Sequence, residues 1–578
     1  MKFIIIFLTI FKLLNSTKIK INGAKFIVKK LESYGITNIF GYTGGCNLKL
    51  FDELYSSPIK IFSNRNEQCC GFSAEAYAKV KGKTGIFITT SGPGLTNAIT
   101  PIQDALSDGI PLLLISGQVA SNKLKTSAFQ ECDAIKITKA CVKKNILIKN
   151  IDSLVINFDK YFLETQKNRK GPVHMDICSN VFNEEIFIDD GELLPIIKKS
   201  NEIKFHKEKL KIIKTIHNKI ISSKKPIFLI GQGVASEYQL FRDFIFKYKI
   251  PVCSTLHGLG IMDDSNKYFI GFMGMHGSYR ANMAIQNADL IIGLGNRFDD
   301  RTVGNINFYG INARNNYGII HIDNSKQKIN EVKKNINPNI SLHLDSKKFL
   351  SEIINIHQNK ENKKYTLFTK FNKFNFIPKK NMLSIPLIIH KLSEKLNQNN
   401  INYIITTGVG VHQMQVAKYF KFNKPNSLIT SGSQGTMGVG LPFAIGCSIA
   451  KPNYTVICID GDGSFQMTSS DLMTLKEYNI NVKIIIMDNS KLQMVHYWQT
   501  IFYNSNYASS IIKNPNFIKL AQSYDIDADY CDNINKLDYM IDKIINNNSS
   551  FLAHFKVSDV DCLPFIPPKN SLDNMILL

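Results

Sequence analysis

One tryptophan in 578 residues is the scarcest feature of this chain, and the other shortages are as informative. No two of its eleven cysteines form a C-x-x-C pair, and the adjacent Cys69 and Cys70 cannot easily bridge each other. In a chain this long that pattern predicts reduced, buried thiols inside a cell. No long basic block or basic–aromatic stripe accompanies the formal charge of +23, from 70 Lys and Arg against 47 Asp and Glu. The excess is spread along the chain, so no nucleic-acid partner is expected. Apolar runs of membrane-spanning length are also missing. The longest candidate, Phe3 to Phe11 in "MKFIIIFLTIFKLLNS", is too short to cross a bilayer. It has the form of a signal h-region, but the cysteine usage favours an unusual start or an organelle-targeting extension on a protein without membrane spans.

What is present is ordinary globular composition, 44% hydrophobic and 20% charged, in a chain long enough for several domains. Short apolar runs bounded by Gly, Pro, Asn or Asp alternate with helical segments in three successive blocks. Residues 18–182 hold "GIFITTSGPG" and "PLLLISGQ"; residues 205–350 hold "PIFLIGQGVA" and "ADLIIGLGNRFDDR"; residues 383–560 hold "TVICIDGDGSF" and "VKIIIMDNS". A polar, aperiodic linker is expected at 357–381 and a tail at 561–578. Three βα blocks of similar size predict an α/β protein of three doubly wound parallel-sheet domains.

The third block carries the clearest chemistry. Asp462 follows the run "TVICI", and Asn489 follows "VKIIIM" 27 residues later. Both sit where open parallel sheets bind ligands. A carboxylate and an amide carbonyl are hard oxygen donors suited to Mg²⁺, which commonly shares its shell with phosphate. Gly461, Gly463 and Ser464 open the next helix with N–H groups suited to an anion. The residues therefore point to a diphosphate-bound Mg²⁺. Upstream, "RNEQCCGFSAEAYAKVKG" offers two acids on a helix, Glu67 and Glu75. "GQG" at 231–233 is a weak dinucleotide hint, and Asp323 after "GIIHI" could hold a ribose hydroxyl.

GDG followed by Asp488-Asn489 resembles the signature of the thiamine diphosphate enzymes, which has an Asn pair in that place. "TSGPGLTNAITPIQDALSDGIPLLLISGQV" (90–119), "SAFQECD" (127–133), "GMHG" (274–277), "NRFDDR" (296–301), "MVHYWQ" (494–499) and "CLPFIPP" (562–568) resemble, in order, the acetohydroxyacid synthase (acetolactate synthase) catalytic subunits, from about residue 20 to 572. The resemblance implies decarboxylation of pyruvate on thiamine diphosphate and condensation of the hydroxyethyl fragment with pyruvate or 2-ketobutyrate. That is the first common step of valine, leucine and isoleucine biosynthesis. It selects Glu67, in the frame Arg65-Asn66-Glu67-Gln68, as the acid on the aminopyrimidine. It adds the Lys491 carbonyl as third Mg²⁺ ligand, His412 and Gln413 at the diphosphate, Met437 as the wedge that bends the cofactor, and Met494 beside it. Phe129, Gln130, Met494 and Trp498 would line the pocket for the acceptor 2-keto acid. It assigns FAD, in a structural role, to Arg169, Gly231, Gln232, Gly233, Thr255, Leu256, His276, Arg297, Asp299, Arg301 and Asp323. It further implies a homodimer or tetramer with the active site at the subunit interface. A separate small regulatory subunit is usual in the family, and the compartment would be a plastid, mitochondrion or bacterial cytoplasm. The chain departs from the family pattern at Thr43, Asn66, Lys125, Ser127, Ser179, Val411, Asp488, Gln493 and 568–570.

Overall fold

The computed structural model describes residues 18–196, 207–357, 383–559 and 565–577. The apolar run at 3–11 and all but the first residue of the expected linker at 357–381 lie outside them, as do 561–564 and 578 of the expected tail.

The apolar runs form three six-stranded sheets, and every strand pairing within them is parallel. Central strands such as Gly85–Thr89, Pro226–Ile230, Leu290–Leu294 and Tyr403–Thr407 are buried at every position. That is why they read as continuous apolar runs: helices cover both faces of a parallel sheet.

The first sheet runs Lys60–Phe62, Asn38–Gly41, Gly85–Thr89, Leu112–Gln118, Val173–Cys178, Lys144–Ile148. Counting its strands from one in chain order, this reads 2-1-3-4-6-5. The third sheet runs Leu428–Ile429, Tyr403–Thr407, Thr455–Gly461, Lys483–Asp488, Phe551–Lys556, Asp527–Cys531, and also reads 2-1-3-4-6-5. The middle sheet differs. It runs Phe269–Phe272, Val252–Ser254, Pro226–Ile230, Leu290–Leu294, Gly318–Asp323, Ile340–His343, or 3-2-1-4-5-6, the order of dinucleotide-binding folds.

By compactness the chain forms two units. One holds the first sheet with residues 445–450 and 473–479, and the other holds the middle and third sheets. In the first unit an antiparallel pair, Lys18–Asn22 with Glu185–Asp189, joins the start of the first block to residues just past 182. In the second, the tail packs on the middle domain. Ile566 and Leu572 enter its core, and the Ile566 N–H donates to the Met275 carbonyl at 2.9 Å. The ten cysteines among the described residues are unbridged. Among those residues no helix is long and apolar enough to cross a membrane.

Candidate active site

In the third domain the chain reverses winding between the strands Tyr403–Thr407 and Thr455–Gly461, and their carboxyl ends open the crevice where such sheets hold ligands. Asp462, 2% exposed, begins a short helix here. Its Oδ1 accepts the Gly463 N–H at 2.9 Å, and its Oδ2 accepts both the Ser490 N–H and the Asn514 Nδ2 at 2.7 Å. Ser490 has a φ of 59°. That turn folds residues 489–491 back onto Asp462, so the sequence-expected metal ligands Asp462, Asn489 and Lys491 share one corner. The Asn489 amide nitrogen donates to Gln493 Oε1 and to Asp559 Oδ1, and the Lys491 ammonium pairs with Asp559. Burial pushes the Asp462 carboxyl up to about 6, with the Asn514 amide pulling down and the neighbouring Asp488 charge pushing further up. A divalent cation would relieve that cost.

Glycines shape the floor of the crevice. A Cβ on Gly408 would lie 2.0 Å from Asp460 Oδ1 and 2.2 Å from Ser464 Oγ, and one on Gly461 would lie 2.9 Å from His412 Nδ1. Asp460 is fully buried, and its Oδ2 has no hydrogen-bond partner among the described residues. His412 sets its Nε2 3.2 Å from Asp460 Oδ1. Gln413 donates to Thr430 Oγ1 at 2.7 Å and to the Ser431 carbonyl at 3.0 Å. Met437 is half-buried. Its neighbour Gly438 donates its N–H to Ser464 Oγ at 2.9 Å, which ties the Met437 loop to the GDGS turn. Backbone N–H groups, buried acids and small residues that admit a flat ligand fit Mg²⁺ and a diphosphate. Met494 and Trp498 lie on the helix Gln493–Phe502, none of whose residues is fully buried. The Trp498 ring packs edge-on against Phe502, and its Nε1 has no partner among the described residues.

The first domain separates the two candidate acids. Glu67 starts the helix Glu67–Lys81, capped by Asn66, whose side chain accepts the Gln68 N–H at 2.7 Å. The family's His position is thus used here as a helix cap. Glu67 is half-buried; its Oε2 accepts from Asn97 Nδ2 at 2.9 Å, and a Cβ on Gly94 would lie 3.4 Å from its Oε1. Glu75, the competing acid, is the enclosed one within this chain. Glu75 is 1% exposed, and its carboxyl is pushed well up by burial and by Asp104 and Asp108. Phe129 is 87% exposed. Gln130 beside it has a φ of 61°. Lys125 and Ser127, where the family has Gly and Asp, also adopt left-handed backbone, at 65° and 57°. Such backbone costs a non-glycine residue roughly 1–2 kcal/mol. Arg169 caps the helix Ile99–Asp108, donating to the carbonyls of Leu106 and Ser107, a role its sequence position did not reveal.

In the middle domain the winding reverses between Pro226–Ile230 and Leu290–Leu294. Gly231 and Gly233 meet Gly295 there, with added Cβ atoms 2.3 Å from the Gly295 carbonyl oxygen and 2.7 Å from its Cα. Thr255 and Leu256 follow the strand Val252–Ser254, and Asp323 ends Gly318–Asp323, so these residues line one sheet edge with Gln232. Arg297 pairs with Asp299 at 3.2 Å, and Arg301 donates to Met275 Sδ. Asp299 Oδ1 accepts the Thr302 N–H, and Asp323 Oδ1 the Ser325 N–H at 2.7 Å. His276 is driven down to about 3 by burial, and its Nδ1 has no partner among the described residues. Two guanidinium groups, a glycine-lined turn and an open imidazole nitrogen fit a dinucleotide.

Models of the thiamine pyrophosphate enzyme family match all three domains. The N-terminal TPP binding domain covers residues 21–137, the central domain 213–353, and the C-terminal TPP binding domain 408–555. The acetolactate synthase large subunit of Lactococcus lactis is 37% identical over 96% of each chain. The acetolactate synthase isozyme 2 large subunit of Escherichia coli is 33% identical over 96% of this chain and 99% of its own. The mitochondrial acetolactate synthase of Schizosaccharomyces pombe is 35% identical over 96% of this chain and 86% of its own. The chain belongs to the acetolactate synthase family of thiamine pyrophosphate enzymes.

Three residues that the sequence reading did not single out now stand in that family's crevice: Asp460, Asn514 and His554. Asp488, where the family pattern has Asn, accepts from His554 Nε2 at 2.8 Å, Lys556 Nζ at 3.0 Å and Asn514 Nδ2 at 2.9 Å. Burial alone would raise this carboxyl, but the His554 and Lys556 bonds outweigh it and hold Asp488 well below the ordinary range. The departure is therefore balanced by charge within the site. Asp460 was legible in "IDGDGS" as an extra acid; Asn514 and His554 gave no local signal.

Proposed function

We propose that the chain is an acetolactate synthase catalytic subunit that decarboxylates pyruvate and joins the remaining two-carbon fragment to pyruvate or 2-ketobutyrate, opening valine, leucine and isoleucine synthesis. Bound thiamine diphosphate supplies the electron sink for that fragment. Asp462, Asn489 and the Lys491 carbonyl hold Mg²⁺, while His412, Gln413, Gly461, Gly463 and Ser464 face the diphosphate. Glu67 shares a proton with the aminopyrimidine ring nitrogen, for which it must leave water. A second copy of this chain covers Glu67, so the working unit is a homodimer or a pair of them. Met437 and Met494 pack on the cofactor. Phe129, Gln130, Met494 and Trp498 admit the acceptor keto acid, and an apolar pocket discriminates one methylene by about 1–3 kcal/mol. FAD occupies the middle-domain edge, held by Gly231, Gln232, Gly233, Thr255, Leu256, His276, Arg297, Asp299, Arg301 and Asp323. A small regulatory subunit joins the assembly, in an intracellular compartment.

The observation that carries this reading is the intact Asp462 crevice in a chain similar along nearly its whole length to acetolactate synthases. The test is a product assay with both keto acids, with and without thiamine diphosphate, Mg²⁺ and FAD. Acetolactate formed without oxygen, dependent on thiamine diphosphate and Mg²⁺ and accompanied by flavin absorbance, supports it. Oxygen-dependent turnover, or free aldehyde as sole product, overturns it.

A further inference from the structure

Asn514 lies 52 residues beyond Asp462, in a loop that the sequence marks only as an Asn-Pro turn. Backbone pairing returns it to the crevice: Leu492 donates to the Ser510 carbonyl at 2.8 Å and Ile512 to the Ser490 carbonyl at 3.0 Å. Its carbonyl accepts from Gln466 Nε2 at 2.9 Å, which fixes the amide's orientation. Both protons of its NH₂ group therefore face carboxylates, one on Asp462 Oδ2 at 2.7 Å and one on Asp488 Oδ1 at 2.9 Å.

Counting lone pairs gives the consequence. Asp462 Oδ2 accepts two hydrogen bonds, from Ser490 and Asn514, which fills it. Oδ1 accepts one, from Gly463, and keeps one pair free. We propose that Asn514 is a positioning residue for the divalent-cation site, restricting Asp462 to a single-oxygen bond through Oδ1 while holding Asp488 onto His554 and Lys556, away from the cation. Six-coordinate Mg²⁺ suits one oxygen per carboxylate, whereas Ca²⁺ accepts carboxylates through both oxygens and tolerates more ligands. Asn514 thereby favours Mg²⁺ over Ca²⁺.

This inference rests on the reading of Asp462 as a metal ligand. The test titrates thiamine diphosphate by calorimetry into metal-free full-length protein at fixed Mg²⁺ or Ca²⁺. Wild type should bind more tightly with Mg²⁺. In Asn514→Ala the Mg²⁺-to-Ca²⁺ affinity ratio should fall about tenfold, the scale of lost support around a metal ligand. Gln466→Leu, which frees the amide without removing it, should move the ratio in the same direction by a smaller factor, and it serves alone if Asn514→Ala does not fold. A ratio unchanged in the folded variants overturns the role of Asn514 and leaves the metal reading intact. Wild-type binding equal with the two cations overturns this inference alone, and binding unchanged when neither cation is added overturns the metal reading and this inference with it.

Discussion

The first and third domains share the strand order 2-1-3-4-6-5 but equip the same edge with opposite chemistry. In the first, the half-buried Glu67 faces one amide, Asn97, beside the close-packed Gly94. In the third, Asp460, Asp462 and Asp488 crowd the edge among Asn514, His554 and Lys556. The wiring is the same, so the division of labour lies in a handful of side chains at strand ends. Under the proposed function, the first domain would offer a proton carrier, and the third a seat for a cation and its anion.

The sharpest way to break that comparison is Glu67→Gln. It should lower kcat by about 10²–10⁴-fold, the range of a lost proton-transfer group, while thiamine diphosphate affinity by calorimetry stays within a few-fold. Lost affinity with the residual rate unchanged would move Glu67 from chemistry to binding.

Asp488→Asn, which restores the family residue, should lower stability by about 2 kcal/mol in denaturant unfolding, because His554 and Lys556 lose their anion; Lys556 is 43% exposed, so solvent screens part of the effect. The folded Asp488 titrates below its unfolded value of about 3.9, so its contribution is complete above about pH 4 and is lost as pH falls further. The gap between variant and wild type should close on acidification.

If Trp498 lines the acceptor pocket as proposed, Trp498→Leu should lower any preference for 2-ketobutyrate over pyruvate about tenfold in a competition assay, because it removes apolar wall there.

Glu75→Gln is the smallest and has the opposite sign. Glu75 is a buried acid with its folded value raised, so the native state binds the proton more tightly and stability falls as pH rises above about 4.3. The glutamine has no such fall. It should gain about 1 kcal/mol on wild type between pH 5 and pH 8, measured by thermal unfolding. A loss at every pH would mean that Lys79, which faces it with Asp104 and Asp108, depends on its charge.

The strands were legible because parallel sheets bury both faces, so "TVICI" and "VKIIIM" stand out as apolar runs. Asp462 and Asn489 were legible because each follows such a run. Strand order was not, since periodicity carries no record of which strand lies beside which. Asn514 was hidden because its partner is 52 residues away and Asn before Pro reads as a turn. His554 was hidden as one polar residue inside the strand "FLAHFK". Glu67 and Glu75 show the limit most plainly. Two glutamates on one helix look alike in sequence, yet one is half-buried beside Asn97 and the other is enclosed.

Under the proposed function, Glu67 of one subunit serves the Asp462 crevice of its partner. Glu67→Gln and Asp462→Ala proteins, each inactive alone, should be mixed under conditions of subunit exchange and assayed for acetolactate. Heterodimers would carry one site built from two intact halves, so activity should return to roughly a quarter of the wild-type level. Exchange demonstrated by mass spectrometry with no activity regained would contradict the claim.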